Sequence, residues 1–224
     1  MSTTTPVLLI GAGPAGLAMA GRLHHHQIPY LLLEASETLV PSWRNHYDRV
    51  HLHTVKEHSH LPYAPFPADY PRYIPRDQLI AYYEAYARER NIQPRLGQRV
   101  IHLTRTDTLW QATTTTGEVY VAPEVVLCTG VNREPHQPAW PGMEQFQGQI
   151  LHSRAYRSGA PFAGQRVLIV GMGNTGAELA IDLHEHGAQA ALSVRGPVNI
   201  VLRDFLGRPT QKTSMLLRRL PNWL

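Results

Sequence analysis

The chain has 224 residues, 43% hydrophobic and 17% charged, a balance that gives one or two folded domains and excludes a disordered chain or one built around a membrane span. Its one cysteine, Cys128, excludes an internal disulfide framework and any C-x-x-C redox or zinc motif. The formal charge of +4 lies mainly at the C-terminal end, where residues 165–224 carry 7 basic and 4 acidic groups against 14 and 13 in residues 1–164; with no run of five like charges and no nucleic-acid motif, neither nucleic acid nor membrane is the expected partner, and phosphate on a small cofactor is.

In chain order, residues 1–6 hold no positive charge, and Pro14 and glycines interrupt the apolar stretch 7–21. A secretory leader is therefore not read here, and a cytoplasmic protein is expected. Residues 7–10 (Val-Leu-Leu-Ile) form a short apolar run like a parallel strand buried on both faces. Gly11-Ala12-Gly13-Pro14-Ala15-Gly16 follows, then apolar residues at helical spacing, then a strand at 30–33 ending in Glu34 and Ala35. This is a strand, turn, helix, strand unit of dinucleotide-binding type.

Residues 41–75 are rich in proline and aromatic side chains and read as a long ordered loop. A helix is expected over 77–90, strands over 97–103, 109–115 and 119–122 with Thr116-Gly117 at a hairpin turn, and a buried strand over 125–127 leading into Cys128-Thr129-Gly130. After a second proline-rich connection the opening pattern returns. Residues 166–170 form a strand, Gly171-Met172-Gly173-Asn174-Thr175-Gly176 the turn, 177–186 the helix and 190–194 the second strand, ending at Arg195. One supersecondary unit occurs twice, and the expected division is a first domain at 1–145 and a partial second at 146–224.

In such a turn the first glycine permits the bend, the second lets backbone N–H groups approach a pyrophosphate, and the third lets helix and strand pack closely. The helix N-terminus adds partial positive charge and unsatisfied donors. Glu34 suits the two hydroxyls of an adenosine ribose and repels a 2′-phosphate, so the first turn fits FAD or NAD. Ser193-Val194-Arg195 sets a hydroxyl and a guanidinium where a 2′-phosphate would lie, so the second fits NADP; the alternative for Arg195 is a solvated surface arginine.

The segment from Phe146 to Tyr156 (Phe146, Gly148, His152 and Tyr156 at fixed spacing) resembles the F-x-G-x-x-x-H-x-x-x-Y signature of flavin-containing monooxygenases, and it lies just before the second glycine turn. Ser42-Trp43-Arg44 is similar to the end of that family's flavin-contacting loop, although Pro41-Ser42 stand where a glycine pair is usual; Leu127-Cys128-Thr129-Gly130 is similar to its interdomain A-T-G segment. His51-Leu52-His53, Leu61-Pro62 and Pro65-Phe66-Pro67 most resemble the YUCCA-type branch. The resemblance implies an α/β, FAD/NAD(P)-binding Rossmann-like fold, a doubly wound parallel sheet with a second, incomplete Rossmann unit. It implies FAD held by Gly11, Gly13, Pro14, Ala15, Gly16, Glu34, Ala35, Trp43, Arg44, His53, Thr54, Val100, Thr129 and Gly130, and NADP held by Gly171, Gly173, Asn174, Thr175, Gly176 and Arg195.

The chemistry so implied is reduction of FAD by NADPH, addition of molecular oxygen at flavin C4a, and oxygenation of a small organic substrate; the alternatives are a non-catalytic nucleotide-binding remnant and an uncoupled NADPH oxidase. The family's asparagine near the flavin is absent from the region His53-Thr54-Val55-Lys56, so no catalytic residue carries over. His152 reads equally as part of the linker near the NADP site and as a hydrogen-bonded structural histidine. No cysteine or well-spaced carboxylate completes a ligand set with His51, His53, His58 and His60, so no metal is expected. Only 29 residues follow Arg195, too few to complete a second Rossmann unit. The chain is therefore expected to be the front part of a longer enzyme, with Leu202, Phe205, Leu206, Met215, Leu216, Leu217 and Leu220 exposed or covered by a partner or a second copy.

Overall fold

A computed structural model describes residues 2–132 and 134–218, and their contacts divide them into two units. The first comprises Met1–His46, His60–Tyr70 and Arg76–Ile150; the second comprises Tyr47–Ser59, Pro71–Pro75 and Leu151–Leu224. The last change of unit falls after residue 150, and two segments inside the first 145 residues group with the second unit.

In the first unit, β1 (Ser2–Thr4), β2 (Val7–Ile10), α1 (Pro14–His25), β3 (Tyr30–Leu33), α2 (Pro41–Arg44) and α3 (Arg76–Glu89) are followed by β4 (Val100–Thr106), β5 (Leu109–Thr114), β6 (Val119–Ala122) and β7 (Glu124–Leu127). A parallel three-stranded sheet has the order β3-β2-β7, and a four-stranded sheet the order β1-β6-β5-β4. The continuous apolar runs of β2 and β3 are what a parallel strand covered on both faces requires. Leu8, Ile10 and Leu33 from the first sheet meet Ala112, Tyr120 and Ala122 from the second to form one core cluster. Residues 2–4, to which the sequence reading assigns no element, add a parallel edge to β6; three residues of Ser and Thr carry no strand periodicity of their own.

Helix α1 starts at Pro14, whose fixed φ and missing N–H suit the first helical position. It packs on α3, where Gly21 allows close approach: a Cβ there would stand 1.8 Å from the Tyr86 hydroxyl. Helix α3 buries Leu79, Ile80, Tyr82, Tyr83, Tyr86 and Ala87, and its tyrosines hold the proline-rich loop in order. The Tyr82 hydroxyl accepts from the Leu61 N–H at 2.7 Å and donates to the Ala64 carbonyl at 2.6 Å, while Tyr86 donates to the Pro62 carbonyl at 3.1 Å. Burial pushes the Tyr82 phenol up to about 12.

The second unit holds β8 (Arg166–Val170), α4 (Asn174–Glu185) and β9 (Gln189–Ser193), with β8 and β9 parallel, then the hairpin β10 (Asp204–Phe205) and β11 (Arg208–Pro209) and helix α5 (Thr210–Leu217). The hairpin turns on Leu206 and Gly207, both at positive φ, as the two-residue primed turns require. The segments 47–59 and 71–75 are bonded to each other and to this end of the chain. Leu52 N–H donates to the Ile74 carbonyl, Val55 N–H to the Gln211 side chain, and Tyr73 and Arg72 both reach Asp204. Leu202, Phe205, Leu206 and Met215 are exposed as expected, and so are Leu168 and Val170 on one face of β8. The side chains of Leu216 and Leu217, and residue Leu220, lie outside the described residues.

Candidate functional site

The two glycine turns have closely matching backbone angles at their first and second glycines. Gly11 has φ +107° and Gly171 φ +104°. Gly13 and Gly173 begin their helices with φ, ψ of −76°, −174° and −89°, −173°, no side chain caps either helix, and neither first turn contains an acid. Both helices have 12 residues.

Each glycine can be assigned its reason. A Cβ on Gly11 would stand 2.5 Å from the Cys128 carbonyl oxygen, besides needing a positive φ. A Cβ on Gly16 would stand 1.9 Å from the Gly11 carbonyl oxygen, and one on Gly176 2.2 Å from that of Gly171. These are internal contacts. Around Gly13 and Gly173, by contrast, nothing lies within 4 Å of the Cβ position, and the backbone conformation is one any residue adopts. The protein itself does not require glycine there. An open approach to an uncapped helix N-terminus, kept clear of side chains in both copies, fits the pyrophosphate of a dinucleotide.

The flanking residues distinguish the two turns. Glu34 is buried at the end of β3, where Oε2 accepts from the Ala12 N–H at 2.7 Å and Oε1 from the Ser36 N–H at 3.0 Å. It therefore locks the turn as well as carrying its charge, a role the sequence reading missed, and each oxygen keeps a second lone pair for a ligand hydroxyl. Replacing Glu34 with Ala is expected to lower stability by about 2–3 kcal/mol, because the buried Ala12 N–H loses its charged acceptor; urea unfolding of the two forms measures it. Ala35 beside it is exposed. Arg195 is exposed, follows β9, and has no ion-pair partner among the described residues.

Other expected residues are distributed as follows. Trp43 and Arg44 lie in α2, and the residue that starts this helix, Val40, donates its N–H to the Ala12 carbonyl of the first turn at 3.3 Å. Val40 is fully buried at φ +47°, an unusual conformation for a β-branched residue. Arg44 donates to the Leu39 carbonyl and forms an ion pair with Glu84, so its guanidinium has protein partners. Cys128, Thr129 and Gly130 leave β7 beside Gly11, with Cys128 N–H donating to the Ile10 carbonyl; burial pushes the Cys128 thiol up. Val100 opens β4 and packs against the core cluster. His53 and Thr54 are exposed and belong to the second unit, where Thr54 and Ser59 share a hydroxyl hydrogen bond.

The histidines have mostly local partners. His25 stacks on Tyr63 with centroids 4.1 Å apart, the His51 and His60 rings bond backbone carbonyls, and His152 accepts from the Arg154 N–H at 3.2 Å, capping the short turn that follows. Among the described residues no group of three His, Cys, Asp or Glu side chains is placed to hold a metal, and no helix is long and apolar enough to cross a membrane. The final tyrosine of the linker signature has a role that spacing could not show. Tyr156 donates to the buried Asp182 on α4, which also accepts the Gly159 N–H at 2.8 Å. Burial and this carboxylate together push the Tyr156 phenol well up.

Comparison with known proteins agrees with this geometry. Residues 8–202 match the family described as pyridine nucleotide-disulphide oxidoreductase. The chain is 42% identical to indole-3-pyruvate monooxygenase YUCCA1 of Oryza sativa subsp. japonica over 96% of its own length and 54% of that protein's, and 42% identical to YUCCA6 of Arabidopsis thaliana over 99% and 54%. It thus spans about half the length of these relatives. A flavin-containing monooxygenase structure from Stenotrophomonas maltophilia aligns with a TM-score of 0.84 at 28% identity, covering 97% of this chain and 64% of that one. The resemblance drawn from the linker signature and the glycine turns is borne out, as is the Rossmann-like α/β fold.

Proposed function

That the chain belongs to the pyridine nucleotide-disulphide oxidoreductase family is the premise from which we propose a flavin-dependent monooxygenase, of which these 224 residues carry the nucleotide-binding turns. The observation that carries the proposal is the doubled cradle with opposite charge at its two strand ends: Glu34 beside the first turn and Arg195 after the second. FAD belongs at the first turn and NADP at the second.

The chain's residues would act by binding and orientation. Ala15 and Gly16 at the start of α1 direct backbone N–H groups at the diphosphate of the first nucleotide, and the fixed carboxylate of Glu34 accepts from its ribose. Asn174, Thr175 and Gly176 do the same at α4, with Arg195 available to a 2′-phosphate. Trp43, on the helix that follows the Val40 contact to the first turn, is the residue we assign to the flavin end of that site. When bound, the flavin supplies electron transfer from NADPH to molecular oxygen, chemistry that no side chain could provide.

The purified chain is expected to be yellow and to bleach on adding NADPH without air. Flavin retained without bleaching would instead mark a nucleotide-binding remnant, and NADPH consumed to give peroxide without substrate would mark an oxidase. Indole-3-pyruvate, named for the plant relatives, is the first substrate to supply. Replacing Arg195 with Ala is expected to lower the preference for NADPH over NADH by about tenfold, the weight of one charge-assisted contact; an unchanged ratio of the two kcat/KM values would remove Arg195 from the site.

A further inference from the structure

We propose that Arg49 is a positioning residue for nucleotide binding at the second glycine turn, acting by cancelling the charge of Glu178. The inference rests on the reading of that turn as a dinucleotide site. Glu178 stands in the first half of α4 and is the first acid after the turn. An unpaired carboxylate there would repel the negative charge of a pyrophosphate at the helix start.

Arg49 removes that opposition. Its Nε lies 3.2 Å from the Glu178 carboxylate and its Nη1 pairs with Glu185, seven residues further along the same helix. The guanidinium therefore lies along two turns of α4. The Arg49 and Glu178 side chains are only 28% and 22% exposed, so solvent screens the pair less than it would a surface pair.

The same segment reaches the turn at a second point. Burial, with Glu178 close by, pushes the Tyr47 phenol up to about 12, and the hydroxyl of Thr175, inside the glycine turn, bonds to it. Asp48 N–H donates to the Arg157 carbonyl at 2.9 Å, and the His51 ring bonds the Arg49 carbonyl at 2.6 Å. Residues 47–51 form a strap in which the Tyr47 side chain addresses α4 at its start and the Arg49 side chain along its length.

The test measures NADP+ and adenosine binding to the whole chain by titration calorimetry or ligand-observed NMR. Arg49→Ala is expected to weaken NADP+ by about fivefold to tenfold and to leave adenosine, which has no phosphate, unchanged. Adding Glu178→Gln to that variant is expected to restore NADP+ binding to within about twofold of the original, since it removes the charge that Arg49 had cancelled. Arg49→Ala binding NADP+ as the parent does, or losing NADP+ and adenosine alike, would overturn the proposal, as would a double variant with no recovery. If Arg49→Ala does not fold, Glu178→Gln alone decides: binding at least as tight as the parent supports the proposal, and weaker binding overturns it. A parent chain that binds no NADP+ would instead overturn the underlying site reading.

Discussion

Gly16→Ala and Gly13→Val, three residues apart in one turn, are expected to fail in opposite ways. The methyl group of the first would lie 1.9 Å from the Gly11 carbonyl oxygen and 3.0 Å from its carbon, both backbone atoms. Neither can move without opening the turn, whose first glycine is itself held against the Cys128 carbonyl. A loss of about 3 kcal/mol or more is expected, at the upper end for overpacking, seen as a lower urea midpoint or insoluble protein. Gly13→Val meets no protein atom and keeps an allowed backbone, so its folding stability should fall by no more than about 1 kcal/mol, the difference in capping preference. Its flavin content, read from absorbance at equal protein concentration, should fall at least about tenfold, because the valine fills the approach to the helix N-terminus. Retention of flavin by Gly13→Val would show that no diphosphate lies there; normal stability of Gly16→Ala would show that the third glycine is not needed for packing. The equivalent pair in the second copy, Gly173→Val and Gly176→Ala, should behave alike toward NADPH while flavin content stays intact in the former.

Asp182→Ala is the second large effect expected, and it acts on stability. The carboxylate is buried and accepts from the Tyr156 hydroxyl and the Gly159 N–H, with the ring of His186, which follows the same helix, 3.5 Å from Oδ1. Truncation leaves two donors without their acceptor, at about 1–3 kcal/mol each. A total of about 3–4 kcal/mol is expected, with thermal unfolding lowered by roughly 10 °C for a chain of this size. Tyr156→Phe removes one donor and leaves the other bond intact, so it should cost about a third as much. Calorimetry of the three proteins decides; equal melting temperatures for parent and Asp182→Ala would mean that this junction of linker and helix contributes nothing.

The repeated unit was legible in the sequence because its determinants are local: an apolar run, three glycines at fixed spacing and a periodic helix all lie within about thirty residues. The strands at Val7–Ile10, Tyr30–Leu33 and Arg166–Val170 stand where that pattern puts them. What escaped was set by partners far away in sequence. Nothing near Arg49 announces Glu178, 129 positions on, and nothing near Asp182 announces Tyr156 on the preceding linker. Glu34 was found for its charge, but its bond to Ala12 needed the parallel pairing of β2 with β3. The loop over 41–75 read as ordered because of its composition, yet its division between two units follows from hydrogen bonds such as that of Val55 to Gln211, which no local pattern encodes.

That division bears on how such a chain can evolve and be rebuilt. Because Tyr47–Ser59 and Pro71–Pro75 count among the contacts of the later unit while the residues between them belong to the earlier one, the polypeptide is interlaced and cannot be cut into two consecutive modules. Residues 151–224 grafted onto another scaffold would arrive without their counter-ion for Glu178 and without the donors that hold Asp204 and Gln211. During synthesis those residues emerge more than ninety positions after the strap, which finds its place only once they have left the ribosome. Recombination is accordingly expected to exchange the pair as a single inherited block.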